Sequence, residues 1–191
     1  MLMVGTDGVE VERLLLSGEL SCPACPGVLG PWGYARSRSS RGPVGTVRHQ
    51  PRRARCTSCR ATHVLLPALW LLRRADAVVV IGAALEGQAT GKGHRPLAAA
   101  SGRPVSTVRG WLRRFAAGAE HTRVKFTRVL HALDPVASAV IPRGTVVADA
   151  VEVIGRAAAA VVVRLAPVGP WEFAARASAG RLLAPPAGVG W

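Results

Sequence analysis

Apolar positions in the middle of the chain recur at helical spacing. Val105, Val108, Trp111, Leu112 and Phe115 form one stripe of a 3.6-residue period, and Ser106, Thr107, Arg109, Arg113 and Arg114 lie off it. This predicts an amphipathic helix over residues 105–116. A short helix over 95–101 precedes it, with Leu97 and Ala98 inward and Pro96 in its first turn. Upstream, Ala77, Val80, Ile81, Ala84 and Leu85 share one face of a helix predicted over 73–88, and Gly91 and Gly93 break the chain after it. These three helices make a trihelical unit that Gly118 is expected to end. A further helix is predicted over 120–133, from Val124, Val129, Leu130 and Leu133, and Asp134-Pro135 closes it. A Pro-bearing linker runs to Pro142. An Ala/Val-rich helix over 145–166 follows, as core or as a self-association face. A last helix is expected over 171–183, and residues 186–191 read as a flexible tail.

The first third follows a different pattern. Val9 and Val11 alternate with Glu10 and Glu12, which reads as a short strand or helix within residues 1–20, the β-strand preferred. Residues 64–66 read as another strand, stopped by Pro67. Between them, Gly27, Gly30, Pro31, Gly33, Gly42, Pro43 and Gly45 punctuate the chain like turns.

Cysteine spacing gives this region a purpose. Cys22 and Cys25 form one CxxC pair, and Cys56 and Cys59 form a second. Two such pairs supply the four thiolates of a tetrahedral Zn²⁺ site, each turn aiming two sulfurs at one ion. The gap from Pro26 to Arg55 exceeds the usual spacing of roughly 15–20 residues, and an extended hairpin accommodates it. Arg36, Arg38, Arg41 and Arg48 would line that hairpin. With four thiolates completing the shell, His49 and His63 are read as polar residues. A closed site of this kind holds a fold and does no chemistry. The fold class expected is therefore mainly α with a small β zinc ribbon. The boundaries are 1–66 for the ribbon, 73–118 for the trihelical unit, 119–185 for a helical extension and 186–191 for the tail.

Charge points to a polyanionic partner. The 191 residues include 25 Lys and Arg against 11 Asp and Glu, a net charge of +14. Only Lys92 and Lys125 are lysines. In a chain rich in Ala, Gly and Val, the arginine excess partly reflects GC-rich coding, so the distribution is more telling than the total. Acids are absent from residues 36–60 and limited to Glu120 in residues 91–128, while the first twenty residues are acidic. No apolar stretch approaches the ~20 residues of a membrane span. The start lacks a basic segment followed by an apolar one, so no signal peptide is expected. Location is expected to be cytoplasmic, associated with the nucleoid.

The small-residue position Ala98, then Gly102, then Val108 and Trp111 six and nine residues beyond it, is helix-turn-helix spacing. The second helix would enter the major groove, with Ser106, Thr107, Arg109 and Arg113 facing bases and Arg114 a phosphate. Lys92 and Arg95 would help the start of the preceding helix hold another phosphate. Two residues depart from the pattern. Arg103 stands in the turn where an apolar residue is usual, and Gly110 lies inside the second helix at a cost of about 1 kcal/mol.

The succession CPAC, an Arg-rich hairpin, RCTSCRATHVLLP, RRAD, GHR and GRPVSTVRGWLRRF resembles a family of actinobacterial proteins known only as helix-turn-helix domain proteins. These pair an N-terminal zinc ribbon with a helix-turn-helix. The layout is also similar to the DNA-binding front end of insertion-sequence transposases. The likeness covers about residues 20–185. It implies duplex DNA binding linked to mobile elements, with a homodimer or a transposase as possible protein partner, and no established activity. The acids after the second helix are Glu120, Asp134, Asp149, Glu152 and Glu172, in a segment that reads helical and too short for a transposase catalytic fold. No nucleophile triad or phosphate loop occurs, so neither enzymatic activity nor a small-molecule substrate is expected. The alternatives are an RNA-binding protein gripping RNA shape with its Arg-rich hairpin, or a protein-interaction ribbon. Against single-strand readout, Trp32 and Tyr34 are the only candidates for base stacking.

Overall fold

The computed structural model describes residues 1–165 and 167–185; the predicted tail lies outside the described residues. The chain is mixed α/β, with a small-sheet region first and helices after it.

Strand β1 (Leu2–Val4) leads into helix α1 (Gly8–Leu16). The strand expected from the Val9/Val11 alternation is thus confined to the first few residues, and the alternating segment itself is helical. Asp7 caps the helix by accepting from the amides of Val9 and Glu10, and Val11 and Leu15 bury one turn apart while Val9 stays exposed. Strands β2 (Leu29–Tyr34), β5 (Arg52–Cys56) and β6 (Thr62–Pro67) complete a four-stranded sheet in the order β1-β6-β5-β2. β1 runs parallel to β6, and the other two pairings are antiparallel. Between β2 and β5, strands β3 (Arg38–Arg41) and β4 (Thr46–His49) form a separate hairpin. The long gap between the cysteine pairs is therefore filled by a hairpin.

Successive residues of β6 point to opposite faces, and this divides two cores. Leu65 joins Val4, Val11, Leu15, Leu29 and Ala54 around the cysteines. Leu66 joins the helical core of Ile81, Leu85, Val108, Trp111 and Phe115.

Helix α2 (Val78–Ala89) begins five residues later than predicted. Residues 75–77 are drawn into extended pairing instead: the Arg41 amide donates to the Ala75 carbonyl, and the Ala77 amide to Arg41. The hairpin is thereby stitched to the start of the helical region. Helix α3 (His94–Ser101) ends at Gly102, whose φ of 62° is left-handed and suits glycine. After the turn, α4 (Val105–Leu133) runs 29 residues without a break, about 44 Å at 1.5 Å per residue. Gly118 does not end it. Phe115, Ala119, Thr122, Phe126 and Leu130 continue one buried stripe straight past the glycine, at steps of four, three, four and four. That burial outweighs a penalty of about 1 kcal/mol for one helical Gly. Of the expected stripe of Val124, Val129, Leu130 and Leu133, Leu130 is buried and the other three are half-buried.

Two glycines let the helices approach closely. A Cβ on Gly87 would strike Leu97 of α3, and one on Gly82 would strike the Trp171 ring. α5 (Val146–Arg164), capped by Thr145, packs along α4 and buries Ala150, Val153, Ile154 and Ala157. Its front is core, while Val163 near its end is exposed. α6 (Pro170–Ala177) stops well short of residue 183, because Ala179 and Gly180 take positive φ and turn the chain. Leu182 and Leu183 are buried in that turn rather than in a helix.

Candidate metal centre and nucleic-acid interface

Each cysteine pair sits in a tight turn whose backbone aims both sulfurs inward. In the first, the Ala24 amide donates to Cys22 Sγ and the Gly27 amide to Cys25 Sγ, both at 3.4 Å. The Cys22 amide closes the turn on the Gly27 carbonyl at 2.8 Å. In the second, the Cys56 amide donates to the Ala61 carbonyl at 2.9 Å, and Arg60 takes a φ of 63° to complete the turn. The turns meet so closely that a Cβ on Gly27 would strike the Ser58 hydroxyl and lie 2.8 Å from Cys56 Sγ.

The four sulfurs converge. Cys22 and Cys59 are 3.8 Å apart, Cys25 and Cys56 3.5 Å, and all four lie within 4.8 Å of one another. Four thiolates bound to one ion at about 2.3 Å in a tetrahedron are about 3.8 Å apart, so the cluster matches a single closed metal site. None of these separations is a disulfide. The thiols are unequal. Burial raises the pKa of Cys56, but hydrogen bonds from the Cys59 and Ser58 amides outweigh it and hold the value at about 6. At Cys59 the Ala61 amide lowers the pKa, while the hydrogen bond with Cys25, burial and the other thiols push it up to about 11. A bound cation would remove this inequality by deprotonating all four.

His63 is placed beside the cluster rather than in it. It is buried, with Nε2 3.6 Å from Cys22 Sγ. Burial first, and then the terminal ammonium, depress its pKa and favour the neutral ring, whose N–H can steady a thiolate. The THV sequence after the second pair carries no signal for this role, which depends on strand register. His49 lies elsewhere, stacked on Trp70 with centroids 5.0 Å apart.

α2, α3 and α4 pack on one another. Val108, Trp111, Leu112 and Phe115 hold the inner face of α4 in the core. On the outer face Ser106, Arg109 and Arg113 are exposed and Thr107 half-exposed. Among the described residues, neither Arg109 nor Arg113 meets a carboxylate. Further along α4, Arg123 is neutralised by Glu120 at 2.6 Å. Unbalanced positive charge therefore sits on the first turns of the helix. Lys92 and Arg95 are exposed beside the start of α3, which no side chain caps. Arg114 does not share the outer face. It folds back along the helix, with Nη1 3.0 Å from the Gly110 carbonyl.

Arg103, the odd residue of the turn, is accounted for. Its Nε donates to Asp76 Oδ1 at 2.6 Å and its Nη2 to the Gly42 carbonyl at 2.9 Å. Arg41 from β3 grips the same carboxylate with two bonds, at 2.9 and 2.7 Å. One buried aspartate thus joins the hairpin, the start of α2 and the α3–α4 turn. Arg41 is consequently a structural tie and not a free hairpin cation. Arg52 and Arg55 cover the faces of Tyr34 and Trp32, at 4.7 and 4.5 Å from the ring centroids.

Among the described residues no helix is long and apolar enough to cross a membrane. Comparison with protein-family models, with curated proteins and with solved structures found no match to this chain.

Proposed function

We propose that this chain is a duplex-DNA-binding protein in which α3 and α4 act as a helix-turn-helix and the four cysteines hold one structural Zn²⁺. The observation carrying this reading is the two-sided start of α4. Its inner face is locked by Val108, Trp111 and Phe115, and its outer face offers Ser106, Arg109 and Arg113 without acidic partners among the described residues. A groove-reading helix needs a fixed backbone and free bidentate donors. Arg109 and Arg113 are one turn apart and reach the same groove. The net charge of +14 supplies the non-specific attraction.

The ribbon is structural in this reading, since four thiolates leave no open coordination position. The later carboxylates support a non-enzymatic role: Glu120, Asp134 and Glu152 are each committed to an arginine. The resemblance to transposase front ends fits a regulator or a mobile-element accessory protein. RNA readout by stacking is less well supported, because Arg52 and Arg55 already cover Tyr34 and Trp32.

The test begins by selecting bound sequences from a random duplex library. Arg109→Ala should then cost about 1–3 kcal/mol on the selected site and relax the preference at one base pair. Arg123→Ala, which removes a cation already paired with Glu120, should change little. Equal weakening by Arg109→Ala on selected and scrambled duplexes would refute base reading.

A further inference from the structure

We propose that Arg73, Arg74, Arg114 and Arg181 form a phosphate-binding cradle at the junction of the β6–α2 loop, α4 and the turn after α6. The phosphate belongs either to a free nucleotide or to a nucleic-acid backbone. These side chains line a cavity of about 520 Å³, within the range of small-ligand pockets, roughly 300–1,000 Å³. Leu72, Leu183 and Pro185 give it an apolar wall, and among the described residues no carboxylate lines it. That pairing of an apolar wall with clustered cations suits the sugar or base beside a phosphate.

Three observations make this a built site and not a chance gathering of surface charge. First, none of the four arginines is in an ion pair among the described residues. The acid nearest in sequence, Asp76, is consumed by Arg41 and Arg103. Second, Arg74 is under-satisfied. Its Nη1 donates to the Arg73 carbonyl at 3.1 Å, while its Nε is buried without a partner among the described residues. A guanidinium has five donors and is not deprotonated in proteins, so Arg74, with one hydrogen bond among the described residues, has donors left for an acceptor. Burial, and then the charge of Arg114, already disfavour the protonated Arg74, a cost that a bound anion would reverse. Third, the parts are held at fixed spacing. The Leu72 amide donates to the Gly180 carbonyl at 3.0 Å, and a Cβ on Gly180 would lie 2.6 Å from Met3 Cε. Gly110 leaves room for Arg114 to bend toward this side, since a Cβ there would lie 2.8 Å from its Nη1.

The cradle shares α4 with the proposed reading face but uses a different side of it. Only its nucleic-acid source rests on the DNA-binding reading; free-phosphate binding does not. The experiment measures pyrophosphate and a nucleoside monophosphate by calorimetry at low salt on the full chain. Arg74→Gln, Arg181→Gln and Arg36→Gln, which does not line the cavity, are compared, with circular dichroism to check folding. Arg181 is exposed, so its variant tests the site even if Arg74→Gln folds poorly. Free-ligand binding weakened about tenfold by Arg181→Gln but not by Arg36→Gln would establish the cradle with a free source. No free binding, but a duplex salt slope lowered by about 0.9 in Arg181→Gln alone, would establish it with a backbone source. If neither probe separates Arg181→Gln from Arg36→Gln, the cradle is refuted. The DNA-binding reading survives that outcome wherever Arg109→Ala still relaxes sequence preference.

Discussion

Replacing Asp76 with Asn should be among the most damaging single changes available outside the apolar core. The Asp76 carboxylate is 3% exposed and accepts three bonds from two guanidinium groups. Removing one member of a buried ion pair costs about 3–5 kcal/mol, because the remaining charge is left uncompensated. Here the two arginines respond differently. Arg41 is 44% exposed and regains water, whereas Arg103 is 15% exposed and does not. The loss should therefore lie near the low end, about 3 kcal/mol. In a chain of this length each kcal/mol moves Tm by about 2–4 °C, so Asp76→Asn should lower it by about 6–12 °C. Arg103→Ala should come close to this, and Arg41→Ala should fall well short. Thermal denaturation followed by circular dichroism measures all three. A fall under 3 °C for Asp76→Asn, or a larger effect for Arg41→Ala than for Arg103→Ala, would show that the aspartate does not tie the hairpin to the α3–α4 turn.

Two further predictions concern the metal and the helix packing. Protein purified without chelator should carry one Zn²⁺ per chain by metal analysis, and Cys56→Ser should lose it together with order in the sheet; metal-free wild-type protein with intact fold would contradict the site. Gly87→Ala should destabilise by about 1–3 kcal/mol because its methyl would strike Leu97, while Gly118→Ala, with nothing within 4 Å among the described residues, should stabilise by roughly 0.5–1 kcal/mol; denaturant midpoints that move in the same direction would refute this account of the two glycines.

The features legible in the sequence were those written in local spacing. Two CxxC pairs imply convergence because each turn is set within six residues, and the four sulfurs do converge. The stripe from Val108 to Phe115 is likewise local, and it is buried as its period requires. Short runs were harder. Over residues 9–12 a period of two and a period of 3.6 cannot be told apart, and the segment is helical. The better signal was Asp7 followed three residues later by Glu10, an N-terminal cap pattern. α4 runs past Gly118 because Phe126 and Leu130 continue the buried stripe beyond it.

The two departures from helix-turn-helix spacing are a different kind of signal: Arg103 marks a contact 27 residues away, and Gly110 makes room for Arg114 one turn along the same helix. Arg103 replaces an apolar turn residue because its partner, Asp76, lies 27 residues upstream, and the same carboxylate also holds Arg41 of the hairpin. The start of α2 moved for the same reason, since residues 75–77 pair with Arg41 rather than wind into helix. Gly110 costs helix stability on its own, yet it clears the path along which Arg114 leaves the outer face of α4. In a sequence whose other levels agree, a residue that breaks its local pattern is best explained by what the fold brings to it from elsewhere. Arg103 met a buried acid there, and Arg114 met two further arginines from the loop before α2 and one from the turn after α6.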